Sequence, residues 1–194
     1  MMKFRRNNAV TLFAIILLSS CGINNNSVKN NNMDSAKNKN NPVYSRTDTG
    51  KVALADNEWK NILAPEVYNV ARNKGTERPG TSAFEHSKEV GTYYCAACGN
   101  ALFKSDTKFE SGCGWPSFYE PISKGSIIYA PDNTYGMKRT EVMCGRCKSH
   151  LGHVFEDGPP PTGLRYCING VVLDFEKAQQ AAEKYNAGEN PAQK

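Results

Sequence analysis

The stretch Leu164-Arg165-Tyr166-Cys167-Ile168-Asn169 alternates apolar and polar side chains with the period of a β-strand. Successive side chains of an extended chain point to opposite faces, so Leu164, Tyr166 and Ile168 face a core while Arg165, Cys167 and Asn169 project together on the other side. A thiol displayed between a cation and a carboxamide does not look like core packing. The cation favours thiolate over thiol, and the amide offers both a donor and an acceptor beside it. Outward from this segment the same texture recurs. Short runs rich in Tyr, Phe, Val and Ile, punctuated by Gly, Pro, Asn and Asp, give candidate strands at 92–94, 118–119, 126–129, 139–143 and 171–174. Two helices precede them. Asp56 is read as an N-cap ahead of Glu58, Trp59, Ile62 and Leu63, and Pro65 opens a second helix that carries Val67, Val70 and Ala71 on one face and stops at Gly75. Residues 176–184 read as a final polar helix. The expected fold class is mainly β with short N-terminal helices.

Seven cysteines punctuate the 194 residues. Four form two C-x-x-C pairs, Cys95-Ala-Ala-Cys98 and Cys144-Gly-Arg-Cys147. Two such knuckles can supply four tetrahedral sulfur ligands to zinc. The 45 intervening residues exceed the spacing of a compact zinc ribbon. Two disulfides or thioredoxin-like redox pairs therefore remain open from spacing alone. Cys113 and Cys167 are left over. They read as a structural disulfide, as buried thiols, or as an attacking and a resolving thiol, and the polar face around Cys167 favours the last. Cys113 sits in Ser111-Gly-Cys-Gly-Trp-Pro-Ser117, whose glycines suggest a mobile loop that lets its sulfur travel. Trp115 is either core or an exposed apolar wall. His150 and His153 follow the second knuckle; His86, standing alone, reads as structural.

The N-terminus is a separate matter. Lys3, Arg5 and Arg6 precede the apolar run 9–18 and then Ser19-Ser20-Cys21, the pattern of a secretory leader. Ten apolar residues are too few to span a bilayer, which takes about 20 in a helix. Leu18-Ser19-Ser20-Cys21 resembles a bacterial lipobox, which implies cleavage before Cys21 and lipidation there. The Asn-rich segment 21–51 is expected to be a disordered tether. The formal charge of +5 belongs to leader and tether, because residues 52–194 carry 16 Lys and Arg against 17 Asp and Glu. Charge gives no argument for a nucleic-acid partner.

Four blocks of the chain closely resemble the B-type methionine sulfoxide reductases, which act on the R epimer: Gly75-Thr-Glu-Arg-Pro79, the segment from Thr107 to Phe118, the segment from Arg139 to Phe155, and Gly163 to Asn169. The resemblance implies two antiparallel sheets beside a zinc clip. It implies Cys167 as nucleophile, Cys113 as resolving thiol, and Cys95, Cys98, Cys144 and Cys147 as ligands of one structural zinc. His150, His153, Asn169 and Trp115 fall at active-site positions, with Arg165 beside the substrate. Oxidised methionine in proteins is the implied substrate, and a thioredoxin-like dithiol the implied electron donor. The chain then divides into a signal peptide (1–20), a lipidated tether (21–51), a reductase domain (52–175) and a polar tail (176–194). It is read as a monomer held to a bacterial membrane only by its lipid and facing the periplasm or exterior. Ala64 stands where the family often has a Ser or Thr cap. Two rival readings are a non-catalytic zinc-stapled binding module and an exported thiol–disulfide exchanger. The first leaves Cys113 and Cys167 without a purpose; the second usually keeps both redox cysteines in one C-x-x-C.

Overall fold

The structure is a computed structural model and describes residues 41–187. The leader, Cys21 and the first part of the expected tether lie outside the described residues, as do residues 188–194. Among the described residues no helix is long and apolar enough to cross a membrane.

Among the described residues two short helices, α1 (Asp56–Ile62) and α2 (Pro65–Ala71), come first. The N-cap of α1 is Ala55, one residue before the expected Asp56, and Glu58 reaches back to accept from the Ala55 amide at 2.8 Å. Pro65 opens α2, where a missing N–H costs nothing. That helix ends at Ala71, earlier than the expected Gly75. Trp59, Leu63, Val67 and Val70 are buried, which explains two helices of only seven residues each: packing rather than length holds them.

The described residues then form nine strands: β1 (Gly91–Cys95), β2 (Ala101–Lys104), β3 (Lys108–Phe109), β4 (Ser117–Phe118), β5 (Ile127–Asp132), β6 (Arg139–Cys144), β7 (His150–Phe155), β8 (Arg165–Ile168) and β9 (Leu173–Lys177). They form two antiparallel sheets, β2-β1-β9 and β3-β4-β8-β7-β6-β5. Between the sheets, Phe103 of β2 stacks on Phe118 of β4 at 4.4 Å and meets Tyr166 of β8 at 5.8 Å, while Tyr93 of β1 meets Phe118 edge-on at 5.0 Å. This aromatic layer fixes the two sheets face to face.

The alternation holds within β8, where Tyr166 and Ile168 are buried while Arg165 and Cys167 face the other side at intermediate exposure; it does not reach its expected ends, since Leu164 is only partly buried and Asn169 lies past the strand and is buried. Strands β2, β3 and β7 lie outside the expected strands, and the segment 170–172 is a 3-10 turn ahead of β9 rather than strand. Strand β9 reaches Lys177, past the expected domain end at 175. Helix α3 (Ala178–Asn186) starts two residues later than read.

Residues 41–51 correct the expected extent of the tether. Asn41 is buried and donates to the Ala97 carbonyl at 2.8 Å, and Arg46 pairs with Asp174 at 2.8 Å and Glu176 at 3.0 Å. These residues form a strap laid over the domain. Composition hides it, because the groups that hold it are backbone carbonyls and two carboxylates far away in sequence.

Candidate active site and metal centre

Strand β8 lies between β4 and β7, and this position assembles the site. The register sets Ser117 opposite Cys167 on one side and His153 opposite Cys167 on the other. Gly152 is required there, since a Cβ would overlap the Cys167 carbonyl oxygen. The Cys167 sulfur therefore emerges beside His153, with the 111–117 loop closing from the β4 side.

That loop brings the Cys113 sulfur to 3.4 Å from the Cys167 sulfur. It is not a travelling arm. Ser111 Oγ donates to Cys113 Sγ at 3.0 Å and lies 2.7 Å from Ser117 Oγ, and the Gly80 amide donates to the Gly114 carbonyl at 2.8 Å. Burial pushes the Cys113 thiol up, but the Ser111 and Ser117 hydroxyls outweigh it and the net shift is downward. Cys167 moves the other way. Burial first, then the adjacent Cys113 sulfur, push its thiol up to about 12, against a smaller downward pull from Arg165. The expectation that Arg165 would make Cys167 the thiolate is thus corrected. The two sulfurs titrate as a pair, with the first negative charge favoured on Cys113.

A cleft of about 130 Å³ opens beside Cys167, lined by Thr76, Trp115, Arg139, Gly152, His153, Phe155 and Asn169. Trp115 is the apolar wall. Its indole Nε1 donates to the Glu77 carbonyl at 3.2 Å, which fixes the ring plane. Asn169 is buried; its Oδ1 accepts from the Glu77 amide at 3.0 Å and its Nδ2 donates to the Leu151 carbonyl at 3.0 Å. Glu77 completes the clasp by accepting from the amides of Gly170 and Val171. The block 75–79, quoted above only as a match, thus ties the cleft floor together.

Three predicted site residues lie outside this lining: Cys113, which touches it through the Cys167 sulfur, His150 and Arg165. His150 is 4% exposed and turned away, with Nδ1 2.7 Å from Glu141, which also accepts from Lys74 at 2.7 Å. Its ring packs edge-on against His153 at 5.5 Å. Arg165 is committed to Asp157 through two bonds of 2.8 and 2.9 Å and lies 4.4 Å over the Phe155 ring. It acts on the Cys167 sulfur through its charge first and a weaker hydrogen-bond contact second. Sequence reading passed over Thr76, Phe155, Asp132 and Arg139. The last two were visible as opposite charges flanking the turn-forming run Asn133-Thr-Tyr-Gly136.

The other four cysteines form a separate centre. All four sulfurs lie within 4.8 Å of one another and are buried, with Cys95–Cys147 at 3.8 Å and Cys98–Cys144 at 3.6 Å. A disulfide needs about 2.05 Å. A tetrahedron with metal–sulfur bonds of about 2.3 Å has sulfur–sulfur edges near 3.8 Å. The sulfurs therefore fit one tetrahedral metal ion and not two disulfides. Asn100 Nδ2 reaches Cys144 Sγ at 3.6 Å and Ser149 Oγ lies 3.2 Å from Cys147 Sγ, the kind of outer contacts that steady thiolate ligands.

Fold and site together define an oxidoreductase-like domain in which a close pair of thiols stands apart from a four-cysteine cluster that could hold a metal. More particularly, residues 63–177 match the family model described as the SelR domain, and the chain belongs to that family. Similar proteins include a peptide methionine sulfoxide reductase MsrB of Methanosarcina mazei, 57% identical over 134 residues that cover 69% of this chain and 96% of that one. Those of Pseudomonas putida (60% over 119 residues, 61% of this chain and 90% of that one) and Leptospira interrogans (54% over 127 residues, 66% and 97%) carry the same name.

Proposed function

We propose that the protein is a methionine sulfoxide reductase that returns the R epimer of methionine sulfoxide, mainly in oxidised proteins, to methionine. The observation that carries this reading is the pair of sulfurs 3.4 Å apart at the mouth of a cleft walled by Trp115 and edged by His153. Family membership and the names of relatives at 54–60% identity support it.

The chemistry follows from the residues. A sulfoxide sulfur is a poor electrophile until its oxygen receives a proton. Trp115 holds the methyl group against its ring face, which leaves the oxygen of one epimer on the side of His153 and Asn169. Cys167 attacks the sulfoxide sulfur while its proton passes to the Cys113 sulfur, the more acidic of the pair, and protonated His153 supplies the oxygen. Methionine departs and the oxygen remains on Cys167 as a sulfenic acid. The Cys113 sulfur then displaces that oxygen as water, forming the Cys113–Cys167 bond and giving up the proton it received. The oxygen has gained one proton from His153 and one from the thiol pair, and two sulfur-held electrons have passed to methionine. A thioredoxin-like dithiol reduces the disulfide. Arg165 tunes the charge at Cys167, and His150, held by Glu141, backs the His153 ring.

Zinc is the metal proposed for the clip, held by Cys95, Cys98, Cys144 and Cys147. A zinc closed by four sulfurs has no open position, so it supplies cross-linking and takes no part in the reaction. For location, the leader, the lipobox-like ending at Cys21 and the Asn-rich segment after it support an exported protein on a lipid anchor that faces the periplasm or exterior.

The test uses racemic blocked or peptide-bound methionine sulfoxide with dithiothreitol, following the two epimers separately. Loss of the R epimer alone, abolished by Cys167→Ser, is expected. A folded, metal-loaded sample that consumes neither epimer would sink the reading and promote a zinc-stapled binding module. Cys21→Ala tests the anchor: it is expected to release the protein from membranes.

A further inference from the structure

Three neighbouring strands converge on one carboxylate at the rim of the cleft. Asp132 ends β5, Arg139 begins β6 directly opposite it, and His153 lies on β7. Asp132 Oδ2 accepts from His153 Nε2 at 2.7 Å and from Arg139 Nη2 at 2.6 Å. Its Oδ1 accepts from the Thr134 amide at 3.0 Å and the Thr134 hydroxyl at 2.6 Å. Four donors on one carboxylate, with Asp132 and His153 each only 14% exposed, are more than a hairpin needs to close.

The bonds from the Thr134 hydroxyl and amide, then that from His153, hold the Asp132 carboxyl far below the usual carboxylate range. An ionised carboxylate can only accept. His153 Nε2 therefore carries a hydrogen whether the ring is neutral or charged. Nδ1 is left as the one ring nitrogen whose proton can come and go.

We infer that Asp132 is a positioning residue for sulfoxide reduction: it anchors His153 through Nε2 and so assigns proton delivery to Nδ1, while Thr134 and Arg139 hold the carboxylate in place. The inference rests on His153 being the acid of the proposed reaction. The division of labour is the one a buried carboxylate performs for a catalytic histidine elsewhere, fixing the tautomer and the orientation of the ring. Among the described residues Asp132 is the carboxylate bonded to this ring. The charged and titratable groups facing His153 are Asp132 from β5, Arg139 from β6, the His150 ring on β7, and Cys167 from β8 with Cys113 behind it. Glu141, opposite His153 in the β6–β7 register, is turned to His150 and Lys74. Arg139 also lines the cleft, and its Nε is buried without a hydrogen-bond partner, so the carboxylate is what keeps that cation from facing the imidazolium uncompensated.

The experiment labels the histidines with 15N in the metal-loaded protein and reads both ring nitrogens through the carbon-bound ring protons across a pH series. Three histidines make assignment by substitution direct. In the wild type the His153 Nε2 shift is expected to stay that of a protonated nitrogen at every pH, with only Nδ1 changing. Asp132→Asn is expected to mix the tautomers and to lower kcat ~10²-fold or more with KM changed less than about twofold, the signature of a lost proton-transfer arrangement. Thr134→Ala keeps the charge and loosens one bond, so it should keep the wild-type tautomer and lose much less kcat. It also keeps the question open to measurement if Asp132→Asn proves unfolded. An unprotonated Nε2 in the wild type, or a folded Asp132→Asn with wild-type kcat, would overturn the inference. A wild type that shows the Nε2–H signature but consumes no sulfoxide overturns the proposed reaction and leaves the anchor standing.

Discussion

The Cys113 and Cys167 sulfurs stand 3.4 Å apart across 54 residues of chain, close enough that neither can ionise without moving the other's proton. Disulfide formation then needs only a small approach of two side chains already in contact, rather than a loop swing. The same closeness makes the pair share one acidic proton, with Cys113 shifted down and Cys167 pushed up to about 12.

Cys113→Ser tests both consequences. It removes the proposed resolving thiol, so one turnover should proceed and recycling by a thioredoxin-like donor should stop. It also removes the neighbouring sulfur that, after burial, raises Cys167. The Cys167 thiol in this variant should therefore ionise at a lower pH than in the wild type, read by thiolate absorbance or by the pH dependence of alkylation. An unchanged titration would show that burial alone sets Cys167. Normal recycling in the variant would remove Cys113 from the resolving role.

Arg146, between the two cysteines of the second knuckle and 4% exposed, links the strap to the metal clip. It donates to the carbonyls of Gly50 at 2.9 Å, Val43 at 3.2 Å and Cys98, and pairs with Asp48 at 2.6 Å. Ser45 donates to the Cys98 carbonyl at 3.0 Å, so the strap touches both knuckles. Arg146→Ala should speed metal loss to a chelator by ~tenfold or more, since charge-assisted hydrogen bonds are worth about 1.5–3 kcal/mol and tenfold corresponds to 1.4 kcal/mol. A colorimetric metal-release assay reads this without any substrate. Equal release rates would show that the strap does not guard the clip.

The parts of this architecture that were legible in sequence were those written in local pattern. The alternation at 164–169 placed Cys167 on a polar face, and the two C-x-x-C pairs offered a four-sulfur centre as one reading that the family resemblance then singled out. Strand β7 was not legible: it contains Gly152 and two histidines, residues that disfavour or fail to signal strands, and it is made a strand by lying between β6 and β8. The strap stayed hidden for a related reason. Arg146 and Asn41 bind mostly backbone carbonyls, which every sequence has, so no residue type in 41–51 betrays the contact. Arg165 was placed correctly beside Cys167, yet its side chain answers to Asp157, a partner that strand alternation cannot name.

Glu141 is 2% exposed and bridges Lys74 and His150, although burial by itself would raise its carboxyl. The Lys74 and His150 bonds outweigh burial and the net shift is downward. A carboxyl lowered in the folded state adds stability above its unfolded value of about 4.3, and that stability is lost as pH falls through the folded value. Glu141→Leu should therefore lower stability near neutral pH by about 1–3 kcal/mol, the cost of leaving the buried His150 donor unpaired. The difference from the wild type should shrink as pH falls toward 4 and below. Denaturant melts across pH measure this. A constant difference at every pH would mean the lost stability came from packing and not from the ionised bridge.

Arg165 offers a clean separation between binding a substrate and tuning a thiol. Its two bonds to Asp157 and its seat over Phe155 keep it off the cleft lining, while its charge pulls the Cys167 thiol down. Arg165→Met removes the cation and keeps much of the packing over Phe155. Cys167 should then ionise at a still higher pH, kcat should fall severalfold, and KM should hold steady. Arg165→Lys restores the charge without the two-pronged grip on Asp157 and should recover part of the rate. Had Arg165 held the substrate directly, KM would rise in both variants and the Cys167 titration would be the smaller effect. Steady-state kinetics on a sulfoxide peptide, set beside thiolate titration of the same two proteins, decides which of the two roles the guanidinium plays.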